Sequence, residues 1–420
     1  MKQARPGEVV IVGAGIAGLT LGLALHARGI ACRLLERSAE ILPLGVGINI
    51  LPHASRVLHD LGLGEALAAA AVETREAAFF NRFGQLFYAE PLGRAAGYAT
   101  PQYSIHRGDL QKILLDAFLV RGGRLETDTG CTGFSRTADA VTLRLARTST
   151  GETLPAADAA VAVACDGIHS VLRRQMHAHE GEPRYCGVNM WRGTTVMAPI
   201  LSGATMVRAG WLAHGKMVVY PIRDCADGEG RQLMNWVAEI ETPKRPERRD
   251  WNRAGLLADF LPAFADWHFD WLDVPAMIEA AGPIFEFPMV DQDPLDHWTQ
   301  GRVTLMGDAA HPMVPRGSNG AGQAILDAEC LAARLSDHAD PRDALAAYEA
   351  ERLDATSRVV LTNRVAPPDI ILKEIVERTG DRPFDDIDQV ISRDELAAFQ
   401  TRYKEVAGYD LATLRARAGG

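Results

Sequence analysis

Three stretches of this 420-residue chain predict its fold class, α/β (α+β). One is a glycine-punctuated strand, turn and helix over residues 9–27. Another is a pair of short apolar strands that end in Asp166-Gly167 and Gly307-Asp308. The third is a set of alternating, aromatic-rich runs across residues 184–240. The first two patterns belong to a Rossmann-like domain with a parallel sheet. The third predicts a separate mixed or antiparallel β-sheet, and a helical segment closes the chain.

Val9 to Val12 reads as a buried parallel strand, because its β-branched residues do not alternate with polar ones. Gly13-Ala14-Gly15-Ile16-Ala17-Gly18 follows and opens an apolar helix over residues 19–27. A second strand, residues 30–35, ends in Glu36-Arg37. A G-x-G-x-x-G alone is weak; within strand, helix, strand and terminal acid it predicts a dinucleotide site. Gly13 makes the tight turn, Gly15 admits a pyrophosphate, and Gly18 lets the helix pack closely. Glu36 stands where an acid binds a ribose 2′-hydroxyl, which favours FAD or NAD over a 2′-phosphorylated nucleotide.

Residues 303–306 predict another buried strand, handing over at Gly307-Asp308 to a loop carrying Pro312, Pro315, Gly317, Gly320 and Gly322. Helical spacing begins near Gly322, so a helix N-terminus points back at the loop. A stiff Pro/Gly loop between a strand and a helix end suits a flat, partly anionic cofactor. Asp166-Gly167 ends a similar apolar strand, with a helix from about Ser170.

Between these landmarks, Gly45 and Gly47 predict a turn-like segment that can line a cofactor, followed by a helix over residues 53–61. Residues 76–90 predict a hairpin, and Arg107 stands just before an amphipathic helix starting at Asp109. Trp191, Tyr220 and Trp236 are candidates for the wall of an apolar pocket. Arg192 and Arg223 are candidates to pair with a substrate carboxylate. Residues 242–253 read as a charged surface loop. Helices are expected near 254–264, 275–280, 341–364, 370–379 and 393–406. The expected domains are 1–75, 100–180 and 288–365 for the cofactor domain, 76–99 and 181–287 for the substrate sheet, and 366–420 for the C-terminal helices.

Composition narrows the function. A net charge of −10 with no basic stripe argues against a nucleic-acid partner. The six cysteines form no C-x-x-C pair, which disfavours a redox dithiol or a zinc site and fits reduced thiols in the cytoplasm. No metal cluster stands out. No apolar run reaches membrane-spanning length, and residues 9–25 do not read as a signal peptide.

The three motifs, in this order, resemble those of the FAD-dependent aromatic hydroxylases, the group A flavoprotein monooxygenases typified by p-hydroxybenzoate hydroxylase. The surrounding wording (PLGVGINILPHA, PQYSIHRGDL, CDGIHSVLR, MWRG, FPMVDQDPL, GDAAHPMVPRGSNGAGQAILD) is closest to that family's phenazine hydroxylases. The resemblance spans about residues 7–365; the last fifty residues lie outside it. It implies FAD as cofactor and NADH or NADPH as co-substrate, the latter without a domain of its own. It implies that an aromatic or heteroaromatic substrate, possibly carboxylated, is hydroxylated by O2 through a flavin C4a-hydroperoxide. No side chain is then needed as a catalytic group, and His311 is expected to be structural. Gly13, Ala14, Gly15, Ala17, Gly18, Glu36 and Arg37 would hold the ADP half of FAD. Gly47, Arg107, Asp166, Gly307 and Asp308 would approach its middle. Pro315, Gly320, Ala321 and Gly322 would border the ring. Decarboxylating hydroxylation and epoxidation are alternatives on this fold, as is a non-catalytic flavin-binding sensor. The absence of W-x-W-x-I-P disfavours a halogenase. A monomer and a homodimer fit equally.

Overall fold

A computed structural model describes residues 7–42, 45–242 and 253–418. Val9–Val12 is central in a six-stranded sheet of order Thr299–Gln300, Val303–Leu305, Val161–Ala164, Val9–Val12, Cys32–Leu35, Arg124–Glu126. Only the Thr299–Gln300 edge runs antiparallel. Every residue of Val9–Val12 and Val161–Ala164 is buried, as the unbroken apolar runs require. Helices Ile16–Ala27, Gly320–Asp337 and Arg107–Val120 pack together beside this sheet. The register aligns Val12 with Ala164 and Ala164 with Leu305. The three strands carrying the three motifs therefore end side by side, where open α/β sheets bind their ligands.

The second sheet has eight strands, ordered Arg253–Ala254, Phe285–Asp291, Arg184–Met197, Gln232–Glu241, Lys216–Arg223, Thr205–Gly210, Glu76–Phe80, Leu86–Pro91. It is mixed, because Thr205–Gly210 runs parallel to Glu76–Phe80 while the other neighbours are antiparallel. Alternation gives it two unlike faces. Trp191, Val207, Val219 and Trp236 enter a core with Phe260, Phe264 and Trp267. On the opposite face, Val188, Met190 and Met289 pack against Val314 of the loop after Gly307-Asp308.

Several expected boundaries move. Gly47 lies in a strand, Gly47–Ile50, rather than a turn, because that segment pairs antiparallel with Gln102–His106. Arg107 is the first residue of its helix. The C-terminal cofactor helix starts at Gly320, two residues before the expected start. Phe285–Asp291 belongs wholly to the eight-stranded sheet and so crosses the expected 287/288 boundary. The expected helix at 254–264 is one short turn, Leu257–Phe260, continued as a 3-10 turn, Leu261–Phe264. Pro262 lies in that second turn and lacks the N–H an α-helix would use there. Most of the expected charged loop at 242–253 lies outside the described residues.

Candidate active site: a cleft where three strand ends meet

The three motifs touch one another. Gly13 has φ +105°, and a methyl group there would lie 2.5 Å from the Cys165 carbonyl oxygen and 3.1 Å from Asp166 Cα. The first fingerprint glycine thus seats the Asp166-Gly167 turn. Gly307, at φ +60°, is wedged between two helices: a methyl would stand 3.1 Å from Ala17 Cβ and 3.2 Å from Ala324 Cβ. Behind this junction Arg173, from the helix after Asp166-Gly167, is 1% exposed and donates to the carbonyls of Ala309 and Ala310 at 3.0 and 2.7 Å. Nothing in the sequence distinguishes Arg173 from its neighbour Arg174.

The junction leaves a cradle for an anionic dinucleotide. A methyl at Gly15 would meet nothing within 4 Å, so the space in front of that helix is open. The helices Ile16–Ala27 and Gly320–Asp337 both begin without a side-chain cap and without an acid in the first turn. Their free N–H groups and positive dipole ends are available to phosphate and carbonyl oxygens. Glu36 is held at the end of its strand by the N–H groups of Ala14 (2.9 Å) and Ser38 (2.8 Å), which fixes its carboxylate for a diol. Arg37 beside it is exposed.

Arg107 stands near enough to Asp308 for its charge to act on that carboxyl. Part of the Asp308 surface opens on the cleft, but its other sides are hemmed in. Burial lifts its carboxyl above the ordinary value, and the charges of His311 and Arg107 pull it back. A methyl at Gly320 would lie 3.9 Å from Asp308 Oδ1, so the loop's helix start adjoins this carboxyl. Asp166 is also raised by burial, against hydrogen bonds from Ser170 and Val171. Its Oδ1 is buried with no partner among the described residues. A methyl at Gly322 would lie 3.4 Å from His53 Nε2 and 3.5 Å from Asn319 Oδ1. Pro315 is exposed, and Ala321 lies in the first turn of the helix.

The substrate-side candidates divide between the two faces of the eight-stranded sheet. Trp191 stacks on Phe260 at 5.0 Å, and Trp236 donates from Nε1 to Thr195 at 3.2 Å, both in the far core. Their strand parity turns them away from the cleft, which corrects their reading as pocket wall. Arg192 and Tyr220 have the other parity and do face it. Arg192 Nη2 donates to the Gly47 carbonyl at 2.8 Å, and the Tyr220 hydroxyl bonds Arg192 and Asn49. Asn235, fully buried, accepts from the Gly47 N–H at 2.7 Å. Asn49 accepts from Ser104 at 2.6 Å and donates to Ser318 at 3.4 Å. This polar seam joins the sheet to the loop; it escaped the sequence because Asn235 and Asn49 sit singly in apolar strands. Arg223 points elsewhere and pairs with Asp109. The apolar wall is Val188, Met190, Met289 and Leu212, with Val237 and Phe287 beside them. Among the described residues one possible metal-ligand group exists, His177, Asp296 and His297, with ligand atoms within 4.8 Å of one another. None of its three residues is needed at the cleft.

A parallel sheet that cradles a dinucleotide, opposed by an apolar sheet face, defines an FAD-dependent aromatic hydroxylase. Residues 7–363 match the family model described as FAD binding domain, and the chain belongs to that family. The phenazine 1,6-dicarboxylic acid hydroxylase PhzS of Lysobacter antibioticus is 44% identical over 372 residues, covering 87% of this chain and 91% of that protein. The 3-amino-4-hydroxybenzoate 2-monooxygenase of Streptomyces cremeus is 34% identical, covering 84% of each. A salicylate hydroxylase substrate complex superposes with a TM-score of 0.75 at 24% identity, covering 98% of both chains. Klebsiella pneumoniae HpxO complexed with FAD and uric acid gives 0.73 at 23%, covering 95% and 92%. At such identities the two structures establish the shared fold.

FAD, when bound, would supply the redox chemistry that couples NAD(P)H and O2 to hydroxylation of an aromatic ring. The chain's own residues bind and shield it. Glu36 and the first fingerprint turn would hold the ADP half, with Asp308 and Arg107 toward its middle. The uncapped start of Gly320–Asp337 favours negative charge at the ring edge. The Met190 and Met289 wall would keep water from the reacting face.

Proposed function

We propose that this enzyme hydroxylates a planar heteroaromatic acid and that Arg192 holds the substrate's carboxylate. The supporting observation is a guanidinium without a counter-ion. Arg192 is partly buried, its Nε has no partner, and no carboxylate pairs with it among the described residues. Burial lowers its pKa, against the pull of Tyr220. An uncompensated charge in such a place is costly and calls for an anion. The adjoining apolar wall suits a flat ring system, and the names of the two relatives specify carboxylated ring substrates. We place the enzyme in the cytoplasm, as a monomer or homodimer.

The test is NADH and NADPH oxidation with oxygen uptake, against heteroaromatic acids and their carboxamides. Arg192→Gln should raise KM for the productive acid about 10- to 100-fold, an ionic hydrogen bond's worth, and leave the amide's KM unchanged. Equal loss on acid and amide, or no loss on either, overturns the assignment.

A further inference from the structure

The family match ends at residue 363, and the segment beyond it has no part in any of the three motifs. It nevertheless reaches the cofactor loop. Helix Arg393–Ala407 carries Tyr403, 2% exposed, whose hydroxyl donates to Asn363 Oδ1 at 2.7 Å and accepts from Asn319 Nδ2 at 3.3 Å. Asn363 in turn donates to the Val314 carbonyl at 3.4 Å. One hydroxyl thus ties both ends of the loop 314–319, directly at Asn319 and through Asn363 at Val314. It also occupies the middle. Gly317 has φ +84°, and a methyl there would stand 2.0 Å from the Tyr403 oxygen. Ser318 next to it holds a left-handed φ of +57°, a conformation its surroundings must impose. One turn on, Gln323 donates to the Ala407 carbonyl at 3.2 Å, so the same helix end also steadies the start of Gly320–Asp337.

From this geometry we infer that Tyr403 is a positioning residue for the isoalloxazine half of FAD. The C-terminal helix backs the loop that would border the ring, and Tyr403 sets that loop's shape through Asn319 and Asn363. Gly13, Gly15 and Glu36, which would hold the ADP half, take part in none of these contacts.

That separation supplies the test. Full-length protein is stripped of flavin and titrated with FAD and, separately, with ADP. Tyr403→Phe keeps the ring and removes the two hydrogen bonds. FAD affinity should fall about three- to tenfold, the range of one or two neutral hydrogen bonds. ADP affinity should stay unchanged, and the visible absorption band of the bound flavin should shift. Asn319→Ala removes the loop-side partner and leaves the C-terminal helix intact; it should give the same split. If FAD and ADP affinities fall together, the helix serves stability alone and the inference is wrong. If Tyr403→Phe leaves FAD affinity and the flavin spectrum as they were, it is equally overturned.

Discussion

His311 Nε2 stands 2.6 Å from Asp327 Oδ2, and that oxygen also accepts the Gly307 N–H at 3.1 Å. The other carboxylate oxygen takes Arg352 Nε at 2.8 Å. One buried acid therefore clamps both sides of the Gly307–Asp308 turn to the helix that follows the loop. His311 Nε2 is thereby tied into the clamp that holds the turn.

Removing the acid should be severe. Asp327→Asn leaves the Arg352 charge buried without its counter-ion, a loss of about 3–5 kcal/mol. Thermal unfolding of the flavin-free protein measures it. The sign of the pH dependence follows from the acid's surroundings. Burial alone would raise the Asp327 carboxyl, but His311 and Arg352 outweigh it and hold it below 3.8. A depressed carboxylate stabilises the fold above its unfolded value and loses that contribution as pH falls through the folded one. The gap between the wild type and Asp327→Asn should therefore persist from neutral pH down to 3.8 and close only below it.

Asp166 should behave in the opposite way. Its carboxyl is raised above 3.8 by burial, so at neutral pH the ionised form weighs against the fold. Asp166→Asn should raise the melting temperature of the flavin-free protein at pH 7.5. The gain should shrink as pH falls toward 3.8, where the native acid also carries its proton. A loss of stability at pH 7.5 would show that the charge is compensated after all.

Two fingerprint glycines should separate folding from binding. Gly13→Ala forces a methyl to 2.5 Å from Cys165 O at φ +105° and should destabilise the protein by about 2 kcal/mol or more. Gly15→Ala meets open space at φ −78° and should change stability by less than about 0.5 kcal/mol. It should still weaken FAD binding, because the methyl occupies the pyrophosphate's approach. Melting curves and flavin titration of the two variants check the contrast.

The motifs were legible because each rule behind them is local. A buried parallel strand shows as an unbroken apolar run, and a tight turn against a neighbouring carbonyl admits only glycine, as at Gly13. Strand ends therefore located the junction where the three motifs meet, with Glu36 and Asp308 beside it. The substrate side was harder. Trp191 and Arg192 are adjacent in sequence yet lie on opposite faces, and which face meets the loop depends on partners a hundred residues away. Size and aromaticity pointed to the tryptophans, while strand parity puts Arg192, Tyr220 and Met190 on the face that meets the loop. Tyr403 was invisible for a further reason: its role exists only through Asn363 and Asn319, and nothing in its own neighbourhood marks it.

The division of faces makes its own prediction. Trp236 is fully buried, and its ring fills the place a side chain at Gly193 would take, 2.3 Å from a methyl there. Trp236→Ala should cost about 3–5 kcal/mol of stability through the cavity it leaves. Where the variant still folds, the KM for substrate should stay within about twofold of wild type, since a core residue acts on the folded fraction rather than on the site. Met190 is also buried, at 5% exposure, but it packs with Val314 on the cleft side. Met190→Ala should raise KM severalfold and increase the share of NAD(P)H oxidation that ends in H2O2, because the wall that excludes water is thinned. Steady-state kinetics with peroxide assay on the two variants decides the matter. A large KM change in Trp236→Ala with none in Met190→Ala would reverse the assignment of the sheet's faces.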